Sequence, residues 1–207
     1  MKQKEKSQIS KEKILNAAII EFGTKTYESA SLNNICSDNN ISKGLIYHNY
    51  KNKDELFLCC VRETFDALVN YLKDETFEDM SLEESIKKYL DLRRNFFKEN
   101  CHFSNIFFNI VLQPPVHLKK EIKILKKELD DLNVGYYREF LGKVKLRKNV
   151  SEEEAIEYFC IFQEFFNGYF QSKMYELNDF NALINEHEMK LNKILNIMLY
   201  GVIKGGD

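Results

Sequence analysis

The chain has 207 residues, enough for one mid-sized domain or for a small domain joined to a larger one. Its 44% hydrophobic and 30% charged residues and its net charge of -2 are ordinary for a soluble globular protein. The polar N-terminus, MKQKEKSQIS, excludes the hydrophobic core of a signal peptide, and the lack of an apolar run of about 18 residues excludes a membrane-spanning helix.

The five cysteines are odd in number and have no CxxC spacing, so we expect reduced thiols in a cytoplasmic protein. Helix-breaking residues are rare, with only the adjacent pair Pro114 and Pro115 and eight glycines. Long segments carry apolar residues at helical spacing. The composition therefore predicts an almost entirely helical protein.

Charge is distributed unevenly along the chain. Residues 1–53 hold nine basic and five acidic residues, whereas the remainder holds 21 basic and 27 acidic residues. A basic N-terminal part on an acidic body suggests a polyanionic partner for the N-terminal part.

The first predicted helix runs from about Ser10, its N-cap, to Thr26. Leu15, Ala18 and Phe22 fall on one face at i, i+3 and i+7 and should face the core.

Two short helices follow. Ser31 is a suitable N-cap for Leu32–Asn39, and Asn40 can end that helix because asparagine tolerates the left-handed conformation. Ser42 is a suitable N-cap for Lys43–Asn49. Residues 10–52 therefore predict three helices, the last two joined by a tight turn.

Longer helices are predicted for the rest of the chain, two of them at the capping boxes SLEE and SEEE. Their approximate limits are Lys53–Lys73, Ser81–Lys98, Cys101–Leu112, Val116–Leu146, Ser151–Tyr175 and Asp179–Val202.

Two short helices separated by a tight turn are typical of a helix-turn-helix, whose second helix enters the DNA major groove. Ser42 would direct helix amides at a phosphate, and Gly44 would let the backbone approach DNA closely. Lys43, in the first turn, opposes the helix dipole unless an anion binds there. We expect an outward face made of Leu45, Tyr47, His48, Asn49 and Tyr50, although the direction of Leu45 is left open.

The run ILNAAIIEFGTKTYESASLNNICSDNNISKGLIYHNYKNKDELF resembles the N-terminal signature of TetR-family transcriptional regulators. The residues that keep the register of that signature are Ser42, Gly44, Tyr47, Tyr50, Lys53 and Leu56, with Tyr50 in place of the usual phenylalanine. The resemblance implies an all-α fold with a DNA-binding domain at residues 1–52 and a helical ligand-binding and dimerisation domain at residues 53–207. It also implies a homodimer that binds double-stranded operator DNA, in most such proteins as a repressor released by a small molecule.

By position, the resemblance assigns phosphate contacts to Ser31, Ser42, Lys43, Tyr47 and Lys53. It assigns base contacts to Lys43 and His48.

The segment YFCIFQEFFNGYF, residues 158–170, is apolar nearly all round a helix and should be buried on two sides. One side can be the protein's own core and the other a partner subunit. Gly168 in mid-helix suggests a close helix crossing. We expect the dimer interface to contain Phe165, Gly168, Tyr169, Leu191, Ile194, Leu195 and Met198. A monomeric core is the alternative.

Aromatic residues at helical spacing in the body could line a cavity for an apolar or aromatic effector, although plain core packing is equally compatible with the pattern. The candidate ligand-binding residues are Tyr89, Arg93, Phe96, Phe103, Phe107, Phe162, Gln163 and Phe166.

The sequence contains no arrangement of nucleophile and base, no metal-ligand spacing among its histidines and cysteines, and no cofactor motif. We therefore expect no catalytic residues, no metal and no cofactor. The alternatives to a DNA-binding regulator are a helical ligand-binding or scaffolding protein without DNA binding and, less favoured, a small helical enzyme.

Overall fold

The computed structural model describes residues 3–174 and 179–202, with side chains from residue 7 to residue 201. These residues form nine α-helices and one short 3-10 helix, Val116–Leu118, as an all-α fold. The α-helices are α1 Gln3–Phe22, α2 Leu32–Asn39, α3 Lys43–Asn49, α4 Lys53–Leu72, α5 Leu82–Glu99, α6 Cys101–Leu112, α7 Lys119–Leu141, α8 Glu152–Lys173 and α9 Phe180–Val202. Within this described part, no helix is long and apolar enough to span a membrane.

The chain divides into two compact units. Unit one is Met1–Ala67 with Phe97–Lys127, and unit two is Leu68–Phe96 with Glu128–Asp207. Because α4 starts in the first range of unit one and ends in unit two, it is one of the helices shared by both. The functional boundary expected at residue 52 stays a prediction.

Unit one joins the three N-terminal helices to α6. The α1 helix packs on α2, α3 and α6. At its C-terminal end, a Cβ added to Gly23 would lie only 2.6 Å from the Cβ of His102, and the Asn105 side-chain amide donates to the Gly23 carbonyl at 2.7 Å. A side chain at position 23 would therefore push α6 away from α1.

Unit two is built around aromatic side chains. The Phe77 ring packs on the rings of Tyr136 and Phe140, with a distance of 5.0 Å between ring centroids in both pairs. The Ser151 hydroxyl accepts from the Glu154 amide at 3.2 Å, and the Glu154 carboxylate accepts from the Ser151 amide at 2.8 Å, which completes the predicted capping box of α8.

Two helix predictions were wrong. The α1 helix begins at Gln3 and not at Ser10, because residues 3–9 contain no helix breaker and are mostly good helix formers, and it ends at Phe22, just before Gly23, and not at Thr26. The predicted helix over residues 116–146 is a 3-10 turn followed by α7, which ends at Leu141 before Gly142. The predicted limits of α2, α3 and α6 are confirmed to the residue.

Candidate nucleic-acid interface and ligand cavity

The turn between α2 and α3 is held by the conformation of Asn40. Its φ of 50° and ψ of 49° are left-handed, and the next amide, that of Ile41, donates to the Cys36 carbonyl at 3.0 Å. On either side, the Ser31 and Ser42 hydroxyls each accept from a backbone amide of the helix that follows, at 3.2 Å. All three predicted roles, one helix stop and two N-caps, are confirmed.

The buried side of this motif is made of three isoleucines, one each from α2, the turn and α3: Ile35, Ile41 and Ile46. Their burial fixes which side of α3 faces outward. Ser42, Lys43, Gly44, Tyr47 and His48 are exposed, and half of the Tyr47 surface is open to solvent. The outward side of α3 therefore combines a cation, a histidine, a phenol and an open glycine.

Two further lysines, Lys13 and Lys53, belong to the same N-terminal unit as α3. The Lys13 ammonium reaches the Asn40 carbonyl at 3.5 Å, which links α1 to the turn. The Lys53 ammonium lies 4.4 Å from the centre of the Tyr27 ring and 3.5 Å from the Glu28 carbonyl. Partial burial lowers the pKa of Lys53, although the acidic groups nearby oppose that shift. Lys53 is thus held in place by a ring and a carbonyl before any phosphate arrives.

Tyr50 does not lie on the outward side. It is 7% exposed, and the extended backbone at this position, which caps the end of α3, directs its side chain inward. Burial raises its pKa to about 12, and the neighbouring groups of α4 add to that rise. The placement of Tyr50 among outward-facing residues was therefore wrong. Leu45 and Asn49 are half-buried, and the Asn49 amide donates to the Leu45 carbonyl at 2.8 Å.

Glu21 is a structural residue that the sequence reasoning missed. Its buried carboxylate accepts from the Lys25 ammonium at 2.8 Å, the Ser31 amide at 2.9 Å and the Asn34 side-chain amide at 3.2 Å. Burial alone would raise the pKa of Glu21, but these partners outweigh it and lower the pKa. The i, i+4 spacing to Lys25 was the visible signal, and the link to the start of α2 was not visible in the sequence.

A cavity lies inside unit two, within the bundle of α5, α7, α8 and α9. The volume of the cavity is about 50 Å³. Its walls are largely apolar and aromatic: Ile86, Tyr89, Leu90, Arg93, Asn133, Tyr136, Tyr137, Phe140, Phe159, Phe162, Gln163, Leu191, Leu195 and Leu199.

Three of the polar side chains in the cavity wall, those of Tyr89, Arg93 and Asn133, have defined partners. The Tyr89 hydroxyl donates to the Asn133 side-chain oxygen at 2.5 Å. The Arg93 guanidinium pairs with the Glu188 carboxylate at 3.4 Å, and the same carboxylate lies 3.2 Å from His187 Nδ1. Burial alone would raise the pKa of Glu188, but Arg93 and His187 outweigh it and lower the pKa, so the carboxylate is ionised.

Of the eight predicted ligand-binding residues, Tyr89, Arg93, Phe162 and Gln163 line this cavity. The other four do not. Phe96 packs on Tyr71, and Phe166 packs between Phe170 and His187. Phe103 and Phe107 belong to unit one, where Phe107 packs in an aromatic core that includes Phe65 and Phe97.

The contribution of α7 to the cavity was missed. Asn133, Tyr136, Tyr137 and Phe140 recur at i, i+3, i+4 and i+7, which is a helical stripe. Charged residues dominate the first half of α7, and this made the helix resemble a solvated one.

One side of α8 exposes a stripe of large apolar residues, at i, i+3, i+7 and i+11: Tyr158, Ile161, Phe165 and Tyr169. Phe165 is 77% exposed. Beyond the helix's own backbone, no described atom lies within 4 Å of the point where a Cβ on Gly168 would be. The neighbouring helix α9 exposes Met189, Ile197 and Tyr200. We call these seven apolar residues, with Gly168, the α8–α9 face.

The residues expected at a dimer interface divide into two groups. Phe165, Gly168 and Tyr169 are exposed on the α8–α9 face. Leu195 and Met198 are buried within the chain, and Leu191 and Ile194 are half-buried. Leu191 and Leu195 line the cavity instead. Because α9 carries apolar residues on two sides, its sequence alone did not distinguish the cavity side from the exposed side.

Comparison with known proteins identifies the N-terminal motif. Residues 14–60 match the family model of bacterial regulatory proteins of the tetR family. IcaR of Staphylococcus epidermidis, the negative transcriptional regulator of a biofilm operon, is 24% identical over 196 residues, which covers 91% of this chain and 98% of IcaR. These matches support a TetR-family transcriptional regulator.

The chain is also similar to other proteins. The Tn10 TetC protein of Escherichia coli is 30% identical over 92 residues, which covers 43% of this chain and 47% of TetC. FadR of Bacillus subtilis, solved with stearoyl-CoA, has a TM-score of 0.61 at 15% identity over 87% of this chain and 96% of FadR. FadR of Bacillus halodurans has a TM-score of 0.60 at 16% identity, over 88% of this chain and 93% of that FadR. These two structures share the fold.

The similarity of residues 14–60 to the tetR family model, and of most of the chain to IcaR, supports a DNA-binding transcriptional regulator. It decides against the two alternatives raised from the sequence, a scaffolding protein without DNA binding and an enzyme.

Proposed function

We propose that the chain is a homodimeric repressor that binds a palindromic operator through α3 and is released by a small molecule held in the cavity of unit two. As a DNA-binding protein it would act in the cytoplasm, where bacterial DNA lies. The observation that carries the proposal is the outward side of α3, which is fixed by the three buried isoleucines and presents Lys43, Tyr47 and His48 together.

The DNA contacts we propose follow from exposure and charge. Ser42 and the first amides of α3 would bind one phosphate, and Lys43 and Lys53 would bind others. His48 and Lys43 can reach base edges, and exposed Tyr47 can donate from its hydroxyl to a phosphate. Half-buried Leu45 leaves part of its side chain available for a thymine methyl group. Ser31, at the start of α2, and Asn49, at the end of α3, would contact DNA from the ends of their helices. Tyr50 is buried and packs against the inner side of α3.

The dimer we propose uses the α8–α9 face. A cluster of large exposed apolar side chains on two neighbouring helices is a common mark of a protein interface. Open space around Gly168 allows a second helix to approach closely. Two α3 helices in such a dimer would bind half-sites about 34–36 Å apart on one side of the duplex.

Release by a ligand is the regulatory part of the proposal. The cavity combines aromatic walls with a few fixed polar groups, as small-molecule sites do. Because α4 continues from unit one into unit two, a ligand that shifts α4 could change the separation of the two DNA-binding parts. A coupling of about 1–3 kcal/mol would weaken operator binding roughly 5- to 150-fold.

The direct test is footprinting on the DNA that flanks the gene encoding this chain. We expect protection of two inverted half-sites one helical turn apart, and higher transcription from the adjacent promoter when the gene is deleted. Protection of a single half-site would contradict the dimer. Lower transcription after deletion would contradict repression.

A further inference from the structure

The hydroxyl group of Tyr137 distinguishes it from the other cavity tyrosines. The Tyr89 hydroxyl donates to Asn133 and the Tyr136 hydroxyl donates to the Leu72 carbonyl. The Tyr137 hydroxyl is buried, and the residues that the structure describes offer it no hydrogen-bond partner. Tyr137 is 3% exposed and stacks on Phe159 with ring centroids 4.2 Å apart, so packing holds its ring in place.

A buried hydroxyl without a partner is costly, and a native protein normally satisfies it with protein, water or ligand. Burial raises the pKa of Tyr137 well above its usual value, so the hydroxyl stays protonated and can donate. A bound molecule with an oxygen acceptor would supply the missing bond.

The charges around the cavity favour a neutral molecule. Among the described lining residues, Arg93 alone is charged, and its partner is the ionised Glu188. The two charges of this pair cancel. An anionic ligand would have to compete with Glu188 for Arg93, and it would itself lose hydration on entering a mostly apolar space.

The size of the cavity sets the third limit. Its volume of about 50 Å³ is below the roughly 150 Å³ of an apolar protein cavity that binds benzene, so a single ring is the largest ligand that it can take, and only with a shift of the wall side chains. A long acyl chain, as in the ligand of Bacillus subtilis FadR, does not fit that space. The rings of Phe140, Phe159 and Phe162 offer flat apolar surfaces to a single aromatic ring.

We propose that the effector is a compact, uncharged, single-ring molecule of the phenol class, whose oxygen accepts a hydrogen bond from Tyr137. The term effector rests on the proposed function, in which a ligand in the cavity releases the protein from DNA. The binding of the molecule in the cavity does not depend on that function. Tyr137 is the specificity-determining residue, because it distinguishes an oxygen-bearing ring from a plain hydrocarbon of similar size.

The test uses the full chain and three probes of similar size: phenol, toluene and benzoate. Calorimetry should give the tightest binding for phenol, and weaker binding for toluene and benzoate. Tyr137→Phe should weaken phenol binding about 2- to 12-fold, as expected for one hydrogen bond, and leave toluene binding unchanged. Tyr71→Phe is the matched control, because Tyr71 lies in the same unit but outside the cavity wall, and it should leave both affinities unchanged.

A thermal melt of the unliganded variant adds a readout that does not depend on ligand. Because Tyr137→Phe removes an unsatisfied hydroxyl, its Tm should equal or exceed that of the wild type. A lower Tm would show that the hydroxyl is already bonded, and would overturn the inference. Equal affinity for phenol and toluene, tighter binding of benzoate, or unchanged phenol affinity in Tyr137→Phe would overturn it as well.

DNA binding separates this inference from the proposed function. Phenol that binds with the expected preferences but leaves operator affinity unchanged would support the ligand class and refute release by that ligand. Operator binding that is normal while phenol does not bind would refute the ligand class and leave the DNA-binding proposal intact.

Discussion

Replacing Gly168 with leucine is a sharp test of the dimer, because the substitution should not harm the single chain. No described atom outside its own helix lies within 4 Å of the new Cβ, so the side chain has space in the monomer. Leucine is also a better helix former than glycine, which is about 0.8–1.0 kcal/mol less favourable than alanine in a helix interior. Any loss must therefore come from contacts between chains.

The expected loss can be estimated from overpacking. A side chain forced into a closely packed interface costs about 1–3 kcal/mol, and a twofold dimer contains the substitution twice. The dissociation constant should therefore rise at least about thirtyfold, at 1.4 kcal/mol for each factor of ten. Sedimentation velocity over a range of protein concentrations measures this change, and a thermal melt checks that the chain remains folded.

Gly135→Leu is the matched control. Gly135 is also an exposed helical glycine with open space around its Cβ, but it lies on α7, outside the α8–α9 face. We expect Gly135→Leu to leave the dimer intact. If Gly168→Leu dimerises as tightly as the wild type, the close crossing at Gly168 is refuted.

Two further predictions concern unit one. Glu21→Gln should lower the free energy of unfolding at pH 7 by about 1–3 kcal/mol, because a buried carboxylate with three donors is replaced by an amide that mismatches some of them. The folded chain lowers the pKa of Glu21, so the stabilisation by its carboxylate is present above the unfolded pKa and is lost as the pH falls through the folded pKa. The difference in free energy of unfolding between Glu21→Gln and the wild type should therefore shrink in acid. Urea unfolding at pH 7 and in acid measures this difference. Tyr47→Ala should weaken DNA binding with little change in stability, whereas Tyr50→Ala should destabilise the fold by about 3 kcal/mol or more because Tyr50 is buried.

Controls make these two predictions refutable. Glu128→Gln removes an exposed carboxylate on α7 and should change stability by less than about 0.5 kcal/mol at either pH. A pH-independent difference between Glu21→Gln and the wild type would argue against an ionised Glu21. Equal loss of stability in Tyr47→Ala and Tyr50→Ala would argue against the inward direction of Tyr50.

The sequence predicted the fold best where local chemistry determines it. Ser31, Asn40 and Ser42 specify the ends of α2 and α3 through their own backbone hydrogen bonds and conformations, so both helices were correct to the residue. The start of α1 was wrong because Ser10 is a possible cap, yet the residues before it also favour a helix. The capping signal of Ser10 was present, but the helix propensity of the residues before it was stronger.

Site residues that depend on packing between distant segments were less predictable. The inward direction of Tyr50 depends on how the chain turns towards α4 after α3. Phe107 and Tyr136 are both aromatic residues at helical spacing, but one packs in the core of unit one and the other lines the cavity of unit two. Nothing in their own sequence context separates the two environments, because the difference arises from which helices pack around them.

In the proposed function, α3 binds DNA through Lys43. Fluorescence anisotropy with a labelled duplex from the DNA flanking the gene, measured from 50 to 200 mM salt, tests it directly. Each phosphate contact contributes about 0.9 to the slope of log K against log salt, so Lys43→Ala should weaken binding and reduce the slope by about one unit. Lys148→Ala, which removes an exposed lysine between α7 and α8, should change neither quantity. If Lys43→Ala keeps the affinity and slope of the wild type, α3 is not the surface that binds DNA.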